Sequence, residues 1–171
     1  MPNPCVPRSF GWKNTRIELS CLQPGDDQAL AEFLGRLSAQ TLYLRYFAPI
    51  REMGSDRIER EIARLRNNQD RTTLLGRLAG EPAVVLVVEV AYRRNNTRAA
   101  ELAITIDDAF QRQGIGRTVF ALLPDLLACR SIDTIEATAL AENVAVRKLF
   151  SQLGSYQVQR NGDAVSYLAY L

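Results

Sequence analysis

Three residues at fixed spacing, Gln111, Gly114 and Gly116, form the part of this chain best suited to holding a reactant. They fall between two periodic stretches. Glu101 to Ile106 alternates apolar and polar residues and is rich in β-branched types, which predicts a strand. From Arg117 onward, Val119, Phe120, Leu122, Leu123, Leu126 and Leu127 recur at helical spacing. The layout is strand, glycine-rich turn, helix. Glycine lets backbone N–H groups approach a ligand because no Cβ intervenes. The unpaired N–H groups at a helix start, with the helix dipole, attract a phosphate or pyrophosphate. A phosphorylated cofactor is therefore expected to dock over Gln111 to Thr118. Two familiar phosphate sites fail on spacing. The nucleoside-triphosphate loop needs a lysine after its second glycine, and none lies near Gly114; the dinucleotide fingerprint needs glycine or alanine where Val119 stands.

What could react beside such a site is narrowed by an absence. The chain has no histidine, which removes Ser-His-Asp and Cys-His catalysis together. Any general base must be a carboxylate, a tyrosine, a cysteine or a water chain. Cys5, Cys21 and Cys129 are widely spaced with no C-x-x-C pair, so no metal site is expected. Scattered cysteines of odd number also argue for a reducing compartment. No signal peptide precedes Cys5 and no apolar run is long enough to span a membrane, so a cytoplasmic location is expected. A net charge of +2 argues for neither nucleic acid nor a membrane surface as partner.

The elements that must position these residues are legible in order. A chain of 171 residues suits one domain with one full core. Residues 1–14 carry prolines and no periodicity and are read as an irregular lead-in, leaving 15–171 as a single domain. Arg16 to Leu22 predicts a half-buried strand, ended by Pro24-Gly25. Asp26 or Asp27 is placed to cap a helix with Leu30, Phe33, Leu34 and Leu37 on its apolar face. Ser38 caps a second helix carrying Leu42, Tyr43, Leu44 and Tyr46. A third has Ile58, Ile62 and Leu65 on one face, and its charged face reads as solvated surface. Thr72 to Leu78 and Ala83 to Tyr92 are strands joined by a hairpin turn at Ala79 to Pro82. The second is apolar on both faces and belongs in the middle of the sheet. Asn95-Asn96 turns the chain into the Glu101 strand. Ser131 to Leu140 is a further strand, followed by a helix from Glu142 or Asn143 to the stop at Gly154. A last hairpin, Tyr156 to Gln159 and Ala164 to Leu171, carries a type I′ signal at Asn161-Gly162.

Gln111-x-x-Gly114-x-Gly116, in this place within this order of elements, resembles the acetyl-CoA signature of the GNAT superfamily of N-acetyltransferases, closest in look to its bacterial protein-lysine acetyltransferase branch. The resemblance implies an α+β, three-layer α/β/α domain: a mixed, mostly antiparallel twisted sheet of about seven strands flanked by helices. It implies acetyl-CoA as cosubstrate, no metal, and a primary amine, on a protein lysine or a small molecule, as acceptor. A homodimer is left open. By resemblance, backbone groups of Gln113, Gly114, Ile115, Gly116, Arg117 and Thr118 face the pyrophosphate, with side-chain contacts from Gln111, Arg112, Arg117 and Thr118. Main-chain groups of Ile104, Thr105 and Ile106 would bond the pantetheine arm, and Asn143 would contact the cofactor.

A lysine amine, with a pKa near ~10.4, is mostly protonated at neutral pH, so removing its proton is part of the work. Glu101 is the expected base, by resemblance to a glutamate on the same strand in the protein-acetylating branch; Glu89, on the adjacent strand, competes, its plainer reading being a solvent-facing residue. Leu37 to Phe47 resembles that branch too, where the region borders the acceptor. Two departures stand out. Phe150 occupies the place where many members keep a tyrosine as general acid, and Gly154-Ser155 replaces Gly-Phe. Tyr156 and Tyr167 are in the correct half of the chain to substitute, and packing serves equally well for either. The enzyme reading is an N-acetyltransferase working by direct attack; the alternative is an acyl-CoA-binding regulatory module without turnover.

Overall fold

The computed structural model describes residues 8–67, 69–93, 96–128 and 130–171. Cys5, Asn95 and Cys129, with the readings that fell on them, lie outside the described residues. The chain runs β1 (Arg8–Trp12), β2 (Thr15–Cys21), α1 (Asp27–Arg36), α2 (Ala39–Tyr46), α3 (Ser55–Arg66), β3 (Arg71–Leu78), β4 (Val84–Arg93), β5 (Asn96–Ile106), α4 (Ile115–Ala128), β6 (Thr134–Leu140), α5 (Val144–Phe150), β7 (Tyr156–Asn161) and β8 (Ala164–Tyr170). One sheet of eight strands takes the order β1-β2-β3-β4-β5-β6-β8-β7. Helices α1 to α3 cover one face and α4 with α5 the other, giving three layers.

Eight strands rather than seven follow from β1, which lies within the stretch read as an irregular lead-in. Its alternation is too short to register, but Phe10 sits opposite Ile17 and is buried, and Lys13 takes φ 51 to close the hairpin. β4 is buried on both faces from Val84 to Val90, as its apolar run required. Beside it, Gly76 of β3 is a close-approach position: a Cβ there would lie 2.9 Å from Leu86 Cβ. The last hairpin corrects one expectation. Asn161 pairs with Ala164, so the loop is Gly162-Asp163, and only Gly162 has positive φ (62°). That is the type II′ pattern, not type I′.

Two apolar cores result. Phe120, Leu123, Ile135 and Phe150 pack beneath α4 and α5; Leu30, Phe33, Leu42 and Leu75 pack beneath α1 to α3. All strand pairs are antiparallel except β5 with β6. This parallel pair is short: Ala99 to Glu101 pairs with Thr134 to Glu136 and pairing then stops, although β5 continues to Ile106 and β6 to Leu140. Past Glu101 the two strands part, and the sheet holds a wedge-shaped opening. Five further residues of β5 line it, about 17 Å of strand at ~3.3 Å per residue.

Candidate active site

Main-chain chemistry defines the open end of the wedge. Among the described residues β5 has no strand partner on its β6 side from Leu102 to Ile106, so polar backbone groups that a closed sheet would consume remain available. The Ile106 carbonyl is the exception, since it accepts from Gln111 Nε2 at 2.8 Å. Ile104 and Ile106 are half-buried and Thr105 is buried on the opposite face. Beyond β5, Asp107 accepts from the Ala109 N–H and starts a single 3₁₀ turn, Asp108–Phe110. Arg112 (φ 58) and Gly114 (φ 89) then take left-handed conformations, and α4 begins at Ile115. Such alternation turns successive N–H groups into one concavity.

The start of α4 offers main-chain donors of the kind an anionic group needs. The N–H groups of Ile115, Gly116 and Arg117 precede the first possible intrahelical acceptor and point out of the helix start. A Cβ on Gly116 would meet Ile106 Cδ1 at 3.4 Å, an ordinary contact at its near limit, so α4 starts close against the end of β5. The window is narrower than expected at one end, because the Thr118 N–H already bonds the Gly114 carbonyl at 3.0 Å. Ile115 is buried and offers only its backbone, while Arg112, Gln113 and Arg117 are exposed and Thr118 half-exposed. The Gln113 carbonyl accepts from Trp12 Nε1 at 3.3 Å, and Trp12 packs on Phe110 with centroids 5.6 Å apart. Thus β1 braces the turn, a support that sequence periodicity did not signal. Across the wedge, Asn143 precedes α5, but its side chain caps nothing there, so its amide is not committed to the helix.

At the narrow end stand two carboxylates. Glu101 and Glu136 are partners on the last parallel rung and emerge side by side on the face that carries α1 to α3. Glu136 is ion-paired with Arg93. Glu101 is exposed, and among the described residues its carboxylate has no partner. Glu89 is the opposite case. Far from facing solvent, it is buried, with one oxygen held by Arg45 and the other by Arg64 at 2.8 Å, with Arg71 at 3.6 Å. A carboxylate enclosed by three guanidiniums is a structural anion. The charged face of α3 is exposed at Asp56, Arg57, Glu59, Arg60 and Arg66, as expected, with one exception: Glu61 is buried, bonded by Arg64 and by the Tyr46 hydroxyl at 2.9 Å. Burial, and then the Glu61 charge, push the Tyr46 phenol well up, so it stays a donor. Burial alone would raise the Glu61 carboxyl, but Arg64 outweighs it and holds that group below its ordinary value.

The place of the missing tyrosine lies inside the core. Phe150 is 1% exposed, its ring tilted against those of Phe120 and Tyr167 at 5.2 Å each and that of Tyr156 at 6.2 Å. Both tyrosines are therefore packing partners of Phe150 in the core under α5.

With wedge, turn and carboxylate in place, the class is defined. Residues 37–154, well over half of the chain, match the acetyltransferase (GNAT) family, and the chain belongs to that family. Its fold is similar to the GNAT domain of PAT from S. lividans, with a TM-score of 0.79 at 20% identity over 96% of this chain and 97% of that one. It is also similar to spermidine N-acetyltransferase from Vibrio cholerae, solved with CoA and spermine, with a TM-score of 0.68 at 18% identity over 90% and 95% of the two chains. A third similar structure is RimL, a ribosomal L7/L12 alpha-N-protein acetyltransferase in complex with coenzyme A, with a TM-score of 0.71 at 16% identity over 96% and 98%. No curated protein sequence is significantly similar to the chain. Among the described residues no helix is long and apolar enough to cross a membrane, and no group of three potential ligands could hold a metal ion.

Proposed function

We propose that this chain is an acetyl-CoA-dependent N-acetyltransferase in which a primary amine attacks the thioester directly, with Glu101 as general base. The observation that carries the reading is the order of parts along β5: helix-start amides beyond its end, strand groups not paired with β6 along it, and at the last parallel rung an exposed carboxylate that has no partner among the described residues. The coenzyme supplies the acetyl group as an activated thioester. Amides of Ile115 to Arg117 hold its diphosphate, Asn143 adds a contact from the far wall, and main-chain groups of β5 align the arm. Glu101 accepts the proton that the ammonium form of the acceptor must lose before its nitrogen can bond to the acyl carbon. The second proton that the nitrogen sheds as the amide forms passes to solvent, and the thiolate that leaves takes its proton from solvent, since Phe150 has none to give.

Of the two glutamates, Glu101 is the base because its oxygens are open to an incoming amine, whereas those of Glu89 are held by arginine. Acceptors of two kinds, a protein lysine and a small amine, agree with this arrangement. Purified protein given acetyl-CoA with a panel of amines and lysine peptides should release free CoA with at least one of them. Glu101→Gln should lower kcat/KM by about 10²- to 10⁴-fold, the usual contribution of a positioned base, while acetyl-CoA still raises Tm as in the wild type. An unchanged rate would remove Glu101 from this role. A raised Tm without release of CoA on any amine would favour the binding-module reading, which the buried Phe150 supports.

A further inference from the structure

The register of the sheet places Arg71, Ala91, Glu101 and Glu136 on one row across β3, β4, β5 and β6. Neighbouring strands lie about 4.8 Å apart, so Glu101 has an arginine two strands away on one side and a second carboxylate one strand away on the other. Arg71 is drawn to Glu89 at 3.6 Å and to Asp70 at 3.8 Å. Arg45 and Arg64 are held by the same Glu89. A fourth arginine, Arg93, ends β4, where the pairing with β5 shifts register after Tyr92. It is ion-paired with Glu136. Because β5 lies between β4 and β6, the Arg93 side chain spans the strand that carries Glu101 to make that pair. The guanidinium thus had two carboxylates of one rung to choose from, and it takes Glu136. Solvent decides the choice. Opposite charges at a given distance attract about four times more strongly near a protein surface than in bulk water. Glu136, at 25% side-chain exposure, is the less exposed of the two.

We propose that Glu136 is a positioning residue: by holding Arg93 it keeps a guanidinium off Glu101 and leaves that carboxylate open to the amine. The inference rests on the proposed role of Glu101 as base, and adds the reason why one carboxylate on a face rich in arginine is left without a partner. Arginine stays protonated at any working pH, and its planar fork matches both oxygens of a carboxylate. A guanidinium released beside Glu101 would therefore occupy the oxygens that must accept the proton of the amine. Glu89 does for Arg45, Arg64 and Arg71 what Glu136 does for Arg93, but from a buried position, where its loss would also unsettle the fold. Glu136 and Arg93 are partly exposed, so their charges can be removed one at a time.

The test is a cycle of variants of the full chain: Glu136→Gln, which keeps the shape and removes the charge, Arg93→Met, and the two together. The crystal structure of Glu136→Gln should show the Arg93 guanidinium within about 4 Å of the Glu101 carboxylate, the limit for an ion pair. Kinetics use whichever amine or lysine peptide releases CoA fastest from the wild type. In Glu136→Gln, kcat/KM for that amine should fall about fivefold, the upper value for an exposed ion pair that must break before the base can act. Arg93→Met and the double variant should stay within about twofold of wild type, since neither has a guanidinium to cover the base. The KM for acetyl-CoA should change by less than about twofold in all three. A loss in Glu136→Gln that persists in the double variant would mean that Glu136 acts without Arg93. That result, an unchanged rate in Glu136→Gln, or an Arg93 that stays away from Glu101 in its crystal structure would overturn the inference and leave the role of Glu101 standing. If no amine reacts, the crystal structure alone decides. A Glu101→Gln chain as active as wild type would overturn both.

Discussion

The two faces of the sheet bury different chemistry. Beneath α4 and α5 the interior is aliphatic and aromatic, centred on Phe120, Phe150 and Tyr167. Beneath α1 to α3 a comparable apolar core is joined by charge: Glu61 and Glu89 against Arg45, Arg64 and Arg71, with the Tyr46 hydroxyl closing one side. Apolar contact is non-directional and roughly proportional to the area removed from water. It seats α4 and α5 on the sheet without dictating where a particular polar atom lies. Ion pairs between buried groups hold only in good geometry, and replacing them with apolar residues is often neutral for stability. Their presence under α2 and α3 therefore reads as a means of fixing those helices, on the face from which Glu101 emerges.

The largest effects should come from removing one anchor on each side. Glu89→Ala leaves three guanidiniums around an empty site and should cost about 3–5 kcal/mol, the usual result of stripping one partner from a buried pair. Phe150→Ala opens a cavity against Phe120, Tyr156 and Tyr167 and should cost about 3–5 kcal/mol as well. Urea denaturation measures both. Equal costs would come with unequal consequences: the first variant should lose amine affinity, because Arg45 of α2 loses its anchor, and the second should keep its glutamate network intact. A Glu89→Ala chain as stable as wild type would mean that the charged face stabilises nothing.

Most of the architecture was legible because it is written in period. Strands buried on one face alternate, β4 is apolar from Val84 to Val88, and the spacing of Gln111, Gly114 and Gly116 marks a strand-to-helix turn in which Gly114 takes φ 89. What escaped has a common cause, since it depends on contacts between distant segments. β1 is fixed by Phe10 meeting Ile17 across a hairpin, and five residues carry too little pattern to show it. Glu61 and Glu89 looked like solvated charges because nothing local says that arginines of α2, α3 and β3 converge on them. The partnership of Asp108 with Ser38 and Thr41 spans some 70 positions, and only the closed fold reveals it. Glu101 was expected at the site by resemblance, and the structure adds that it stands at the point where β5 and β6 part.

A smaller effect separates the two faces most cleanly, because it depends on pH. The Glu61 carboxyl is lowered in the folded chain: burial opposes ionisation, and the hydrogen bonds and charge of Arg64 more than offset it. Below the unfolded value, near ~4.3, the unfolded chain takes up a proton that the folded chain still refuses. Stability from this group is thus fully present above that value and drains away as pH falls through the lower, folded one. Glu61→Gln should cost about 1.5–3 kcal/mol at neutral pH, the range for hydrogen bonds to a charged group. The difference from wild type should shrink as unfolding is measured at falling pH, through the lowered folded value, because a protonated glutamate and a glutamine are nearly alike. Phe150→Ala carries no proton, so its deficit should stay constant over the same range. If the Glu61→Gln deficit were equally constant, Arg64 would not be acting on an ionised group, and the contrast between a charged and an apolar face would reduce to a difference in shape.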